Sequence, residues 1–107
     1  MQSQPYSYRV DGHDHFAPPD EDAYWRVGAF DTLDAARRAA EAVIDASLRQ
    51  GYERSVEDGS AATPETLLAS WRAAGEGASV VTSDPNCDFT EAEYAERRAR
   101  EICGRGG

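Results

Sequence analysis

The chain contains no lysine; all eleven of its basic residues are arginine. That absence excludes the phosphate-cradling lysine of a P-loop and the Schiff-base lysine of carbonyl chemistry. With the many alanines, it also fits the codon bias of a GC-rich genome. Cysteine is scarce: only Cys87 and Cys103 are present. Their separation fits no zinc module, and neither has a nucleophile motif beside it, so both are expected to be reduced, packed and inert. Long apolar runs are missing. No stretch approaches the ~20 residues of a membrane span. Met1 to Asp11 lacks the basic segment and apolar run of a signal peptide. The expectation is a cytoplasmic protein that does not engage membranes.

Positive charge is in short supply as well. The net charge is −9, so the chain repels phosphate backbones and anionic lipid, and direct nucleic-acid binding is not expected. A length of 107 residues points to one domain spanning 1–107. A chain of that size buries roughly two-thirds of its unfolded surface, enough to fold alone with little margin.

What is present is a sequence of well-marked elements. Tyr24-Trp25-Arg26-Val27-Gly28-Ala29-Phe30 alternates side-chain types with period two and reads as a strand, with Trp25, Val27 and Ala29 on one face. Asp31-Thr32 offers cap oxygens, and a helix follows. Its apolar stripe is Leu33, Ala36, Ala40, Val43, Ser47 and Leu48 with Ile44 alongside, and Gly51 is expected to end it. Tyr6, Tyr8 and Val10 mark an earlier strand, joined to the first by a long connection from Gly12 to Ala23. Thr63-Pro64-Glu65 opens a second helix whose apolar face is Leu67, Leu68, Trp71 and Ala74. Ala78 to Thr82 favours a third strand. Thr90 with Glu93 forms a capping box, stapled by Phe89 onto Tyr94, for a last helix burying Ala92, Ala95, Ala99 and Ile102. The fold class expected is α+β: a three-stranded, mainly antiparallel sheet with helices packed on one face, in the order β-β-α-α-β-α.

The pattern Tyr8-x-Val10-Asp11, then Asp20-Glu21-Asp22, then Tyr24 with Ala29-Phe30-Asp31-Thr32 before a helix resembles a group of small bacterial proteins. The helix from Thr63 to Gly75 and the stretch from Phe89 to Arg98, with its Tyr94-Ala95, fit it too. The resemblance covers most of the chain, and its motifs are strand, cap and helix. It implies a bacterial, cytoplasmic origin and a shared fold. No activity is assigned to that group, so no catalytic residue transfers.

Asp11, His13, Asp14 and His15 are the one cluster with metal-ligand chemistry, and Asp11, His13 and His15 are the expected ligands. In an extended segment, alternate residues point the same way and converge on one divalent ion. Asp20, Glu21 and Asp22 are placed to join them. The plainer alternative is a solvated loop whose histidines hold nothing. Tyr24 and Trp25, with Phe30 near, are the candidate partner-binding patch, against the alternative that both tryptophans are core. Arg97, Arg98 and Arg100 form a basic stripe better explained by pairing with Glu93, Glu96 and Glu101.

With no catalytic constellation, the expected function is a small protein-interaction or regulatory domain acting through a protein partner or as a homodimer. The alternatives are a metal-binding protein or metal-dependent enzyme built on Asp11, His13 and His15, and an acidic nucleic-acid mimic. No cofactor is expected other than a divalent metal.

Overall fold

The computed structural model of the chain describes residues 6–15 and 24–106. The acidic run Asp20-Glu21-Asp22 lies outside the described residues. Six elements follow in the order β1 (Tyr8–Asp14), β2 (Tyr24–Phe30), α1 (Leu33–Glu57), α2 (Pro64–Ala74), β3 (Glu76–Val81) and α3 (Glu91–Gly106). The three strands form one antiparallel sheet in the order β2-β1-β3. This is the expected α+β arrangement, with β1 in the middle.

α1 divides the interior in two. Its N-terminal half lays Ala36 and Ala40 on the sheet, where they meet Tyr8, Val10 and Ala78. Alanine allows a close approach there, so this cluster is thin. One turn further, the same stripe changes both size and partner. Ile44, Leu48 and Tyr52 pack with Leu67, Leu68 and Trp71 of α2 and with Ala95, Ala99 and Ile102 of α3. Ile44 and Leu48 are fully buried. Burying one such side chain stabilises the fold by about 1.5–3 kcal/mol.

The structure differs from the local reading at the end of α1, in the alternation of β2 and on the inward faces of α2 and α3. α1 runs through Gly51 instead of stopping there. A helical glycine costs about 1 kcal/mol, but continuing the helix seats Tyr52, 9% exposed, in the larger cluster. The helix ends instead on Gly59, whose φ of +87° suits the left-handed position. There the Gly59 N–H donates to Val56 O and the Ser60 N–H to Ser55 O. In β2, strict alternation fails because the register shifts between Val10 and Asp11: Val10 faces Gly28 while Asp11 faces Arg26. The extra residue is Val27, and the bulge lets both Val27 and Phe30 pack on the alanine cluster. Ala92 and Ala74 lie exposed, outside the stripes assigned to them.

The expected cap of α2 is in place. Thr63 accepts from the Thr66 N–H, and the Thr66 side chain caps back. At α3 the expected capping box takes another form: the Thr90 hydroxyl donates to the Glu93 carboxylate, side chain to side chain, while the Phe89 and Tyr94 rings lie 6.4 Å apart. Two charged contacts tie elements together. Arg98 of α3 is bonded to Asp45 of α1, which also pairs with Arg49 at 2.7 Å. The Tyr8 hydroxyl donates to Asp84, just past β3, at 2.6 Å.

This last bond couples folding to pH at both ends of the scale. The bond to Asp84, with burial, pushes the Tyr8 phenol from 10.0 up to about 12. The same bond, then the Asn86 N–H, holds the Asp84 carboxyl below its ordinary value. The stabilisation is therefore complete in the middle range. It fades as pH rises from 10 toward 12, where Tyr8 ionises in the folded state. It fades again as acid protonates Asp84 below the usual carboxylate range. Thermal melts should show Tyr8→Phe less stable than wild type near neutral pH, with the gap narrowing above pH ~10. A gap that stays constant up to pH ~12 would rule out this coupling.

Candidate metal centre

His13 lies near the end of β1, facing Tyr24 across one strand pair and Gly77 across the other. His15 follows just beyond the strand. Its main chain is fixed, because the His15 N–H donates to Gly75 O at 3.0 Å. Its ring is fixed too. Nδ1 lies 2.8 Å from the Trp71 carbonyl oxygen, and the ring meets the Trp71 indole edge-on with centroids 4.5 Å apart. A carbonyl only accepts, so His15 Nδ1 carries the proton. In the neutral ring, Nε2 then presents a lone pair.

The third member comes from a distant part of the sequence. Glu91 opens α3, where an acid suits the helix dipole. It stands one turn before Ala95 on the stripe that packs inward. Its carboxylate is bonded to His13 Nε2 and lies 3.7 Å from His15 Nε2. The two imidazole centroids are 4.9 Å apart. One ligand atom from each of the three residues lies within 4.8 Å of the others. Their side chains are 21%, 17% and 23% exposed, so the group is half-buried but reachable from solvent.

Gly77 makes room for this meeting. A Cβ there would stand 1.9 Å from a Glu91 oxygen and 2.5 Å from His13 Nε2. Real side chains do not approach that closely, so the space above Gly77 is the space the two donors occupy.

Of the three residues read as ligands from the sequence, the structure brings His13 and His15 together and places Asp11 elsewhere. The Arg9 guanidinium grips the Asp11 carboxylate through Nε at 3.0 Å and Nη2 at 2.9 Å. The pleat is the cause: residues two apart on a strand share a face, and arginine at that spacing reaches the carboxylate first. Glu91 takes the third place. It stands 78 positions from His13, so no local spacing announces it.

The other candidates are placed as follows. Tyr24 is 66% and Trp25 39% exposed on β2, and the Trp25 ring lies over Gly12. Trp71 is buried, and its indole N–H donates to Glu76 O. Cys87 and Cys103 are free and half-buried. Burial, then the charge of Glu65, pushes the Cys103 thiol up, away from the reactive thiolate. In the basic stripe, Arg98 pairs with Asp45 and Glu101, and Arg100 with Glu96. Arg97 does not pair with Glu93 as expected but lies 5.3 Å over the Tyr94 ring. A groove of about 510 Å³ between α1 and the start of α3 is lined by Asp34, Arg37, Arg38 and Arg97 among others. Arg37 and Arg38 are both engaged by Asp34. Among the described residues, no helix is long and apolar enough to cross a membrane.

Comparison of the chain with protein-family models, curated proteins and solved structures finds no match. The chemistry of the site is therefore read from its geometry. Two imidazoles and one carboxylate form a borderline donor set suited to zinc, nickel, cobalt or ferrous iron. The His15–Trp71 bond is the kind of outer contact that orients a metal-ligating histidine.

Gly77→Ala should force His13 and Glu91 apart. The clash is with side-chain tips and not with backbone, so the stability cost should stay within about 1 kcal/mol in urea unfolding. The His13 imidazole N–H should lose its hydrogen-bonded proton resonance in NMR spectra. An unchanged resonance would mean that the glycine does not hold this contact open.

Proposed function

We propose that this chain binds one divalent transition-metal ion through His13, His15 and Glu91. The observation that carries the reading is the convergence of three ligand atoms within 4.8 Å from β1 and α3, with one imidazole held in its ligating tautomer by Trp71. In the structure the carboxylate of Glu91 is bonded to His13 Nε2. Binding displaces that contact and shifts the His13 proton to Nδ1. The ion then replaces a hydrogen bond with a three-donor tie between the sheet and α3. A ligand that binds only the folded state adds about 2.7 kcal/mol of stability at a hundred times its dissociation constant.

Zinc titration followed by calorimetry should give one ion per chain and a raised Tm. His13→Ala, His15→Ala and Glu91→Ala should each weaken binding at least about tenfold, whereas Asp11→Ala should leave it unchanged. Trp71 fluorescence should be quenched by nickel in wild type and not in His15→Ala. A flat titration together with an unmoved melting temperature would remove the reading.

A second reading is association through β2, and one observation favours it. β2 is an edge strand with Tyr24 and Trp25 exposed and Arg26 as its only charge. Long edges with few charges invite another strand. Light scattering after size exclusion should then show a dimer that Tyr24→Lys weakens. A monomer at every concentration tested would exclude self-association.

A further inference from the structure

We infer that the ion held by His13, His15 and Glu91 keeps a coordination position open to solvent, and that this position takes a small monodentate anion. The inference rests on the metal-binding reading and goes beyond it, separating a site that receives a ligand from one that only fastens the fold.

The donor count comes first. Among the described residues the group holds three donors. Asp11, read from the sequence as a ligand, is held in the Arg9 fork. A tetrahedral ion with three protein ligands leaves one position to water or to an incoming group, the pattern of sites that exchange ligands. The cysteines do not supply it, because the group contains neither.

Rigidity comes next. A three-donor site closes only if its donors spread around the ion or a neighbour swings in. His15 is fixed through main chain and ring alike, by Gly75 O and Trp71 O. His13 is flanked by the His15 ring at 4.9 Å and the Tyr24 ring at 5.9 Å. Glu91 sits over Gly77, at the first turn of α3. Solvent already reaches about a fifth of each of the three side chains, so water or a small solute would have access to an ion held there.

Charge then selects the ligand. Two neutral imidazoles and one carboxylate around a divalent ion leave a local charge of about +1. A monoanion neutralises it; a dianion overshoots. The surrounding chain carries −9 and repels polyanions at long range, so nucleotides and other multiply charged phosphates are disfavoured as ligands. The class that fits is a small singly charged oxygen or nitrogen donor, in competition with water.

Cobalt loading with azide as the probe tests this. Cobalt(II) should bind one per chain, with visible absorption of a low-coordinate site. Azide should change that spectrum saturably and leave metal-free protein unaffected. Sulfate should bind more weakly than azide. Glu91→Gln, close in shape and expected to fold, should weaken cobalt binding and the azide response with it. A cobalt spectrum that azide does not alter shows a closed coordination shell and overturns the inference while the metal reading stands. Failure of cobalt to bind overturns both.

Discussion

The fold depends on one helix having two kinds of partner along a single stripe. Ala36 and Ala40 let the first half of α1 lie close against β1 and β3, and Ile44, Leu48 and Tyr52 give the second half the volume to gather α2 and α3. Neither arrangement would do for the whole length. Large residues at positions 36 and 40 would lift the helix off the sheet. Alanines at 44 and 48 would leave α2 and α3 with little to bury. Because interiors are packed to crystal-like density, this change of side-chain size sets how far α3 stands from the sheet. The meeting of Glu91 with two histidines follows from that distance.

Side-chain chemistry adds direction to this packing. The Arg98–Asp45 contact sets α3 alongside α1, and the Tyr8–Asp84 bond fixes the chain as it leaves β3 for α3. Both link segments far apart in sequence, and both carry charge into partly buried ground, where a missing partner is costly. The bulge at Val27 has a different effect. It brings one more apolar side chain onto the alanine cluster, where small residues leave the least to bury.

Much of the architecture could be read in the sequence because its signals are local. The Thr63-Pro64 start, the Asp31-Thr32 cap and the four-residue steps from Ala36 to Leu48 each act within a few residues, and the structure agrees with them. Gly51 misled because a glycine's preference is worth about 1 kcal/mol, less than the burial of Tyr52 that opposes it. Ala92 misled because alanine is equally at home on either face of a helix. At the site, His13 and His15 were legible as an alternating pair, and Tyr24 as an aromatic on a strand. Glu91 was not. At the first turn of a helix, a glutamate is what capping and dipole rules already expect, so nothing local distinguishes one with a further role. Its role comes from tertiary geometry, as does the diversion of Asp11 to Arg9.

The origin of the donors bears on how the protein is made. His13 and His15 are translated first and Glu91 follows 78 positions after His13. At ribosomal speeds of about 5–20 residues per second, roughly four to sixteen seconds separate their synthesis. Throughout that interval the nascent histidines have no carboxylate from α3 to complete the set. A chain that stops before residue 91 keeps an HxH pair and nothing more. The contact of Glu91 with the two histidines therefore joins a strand made early to a helix made seconds later, and it cannot form until residue 91 has been added.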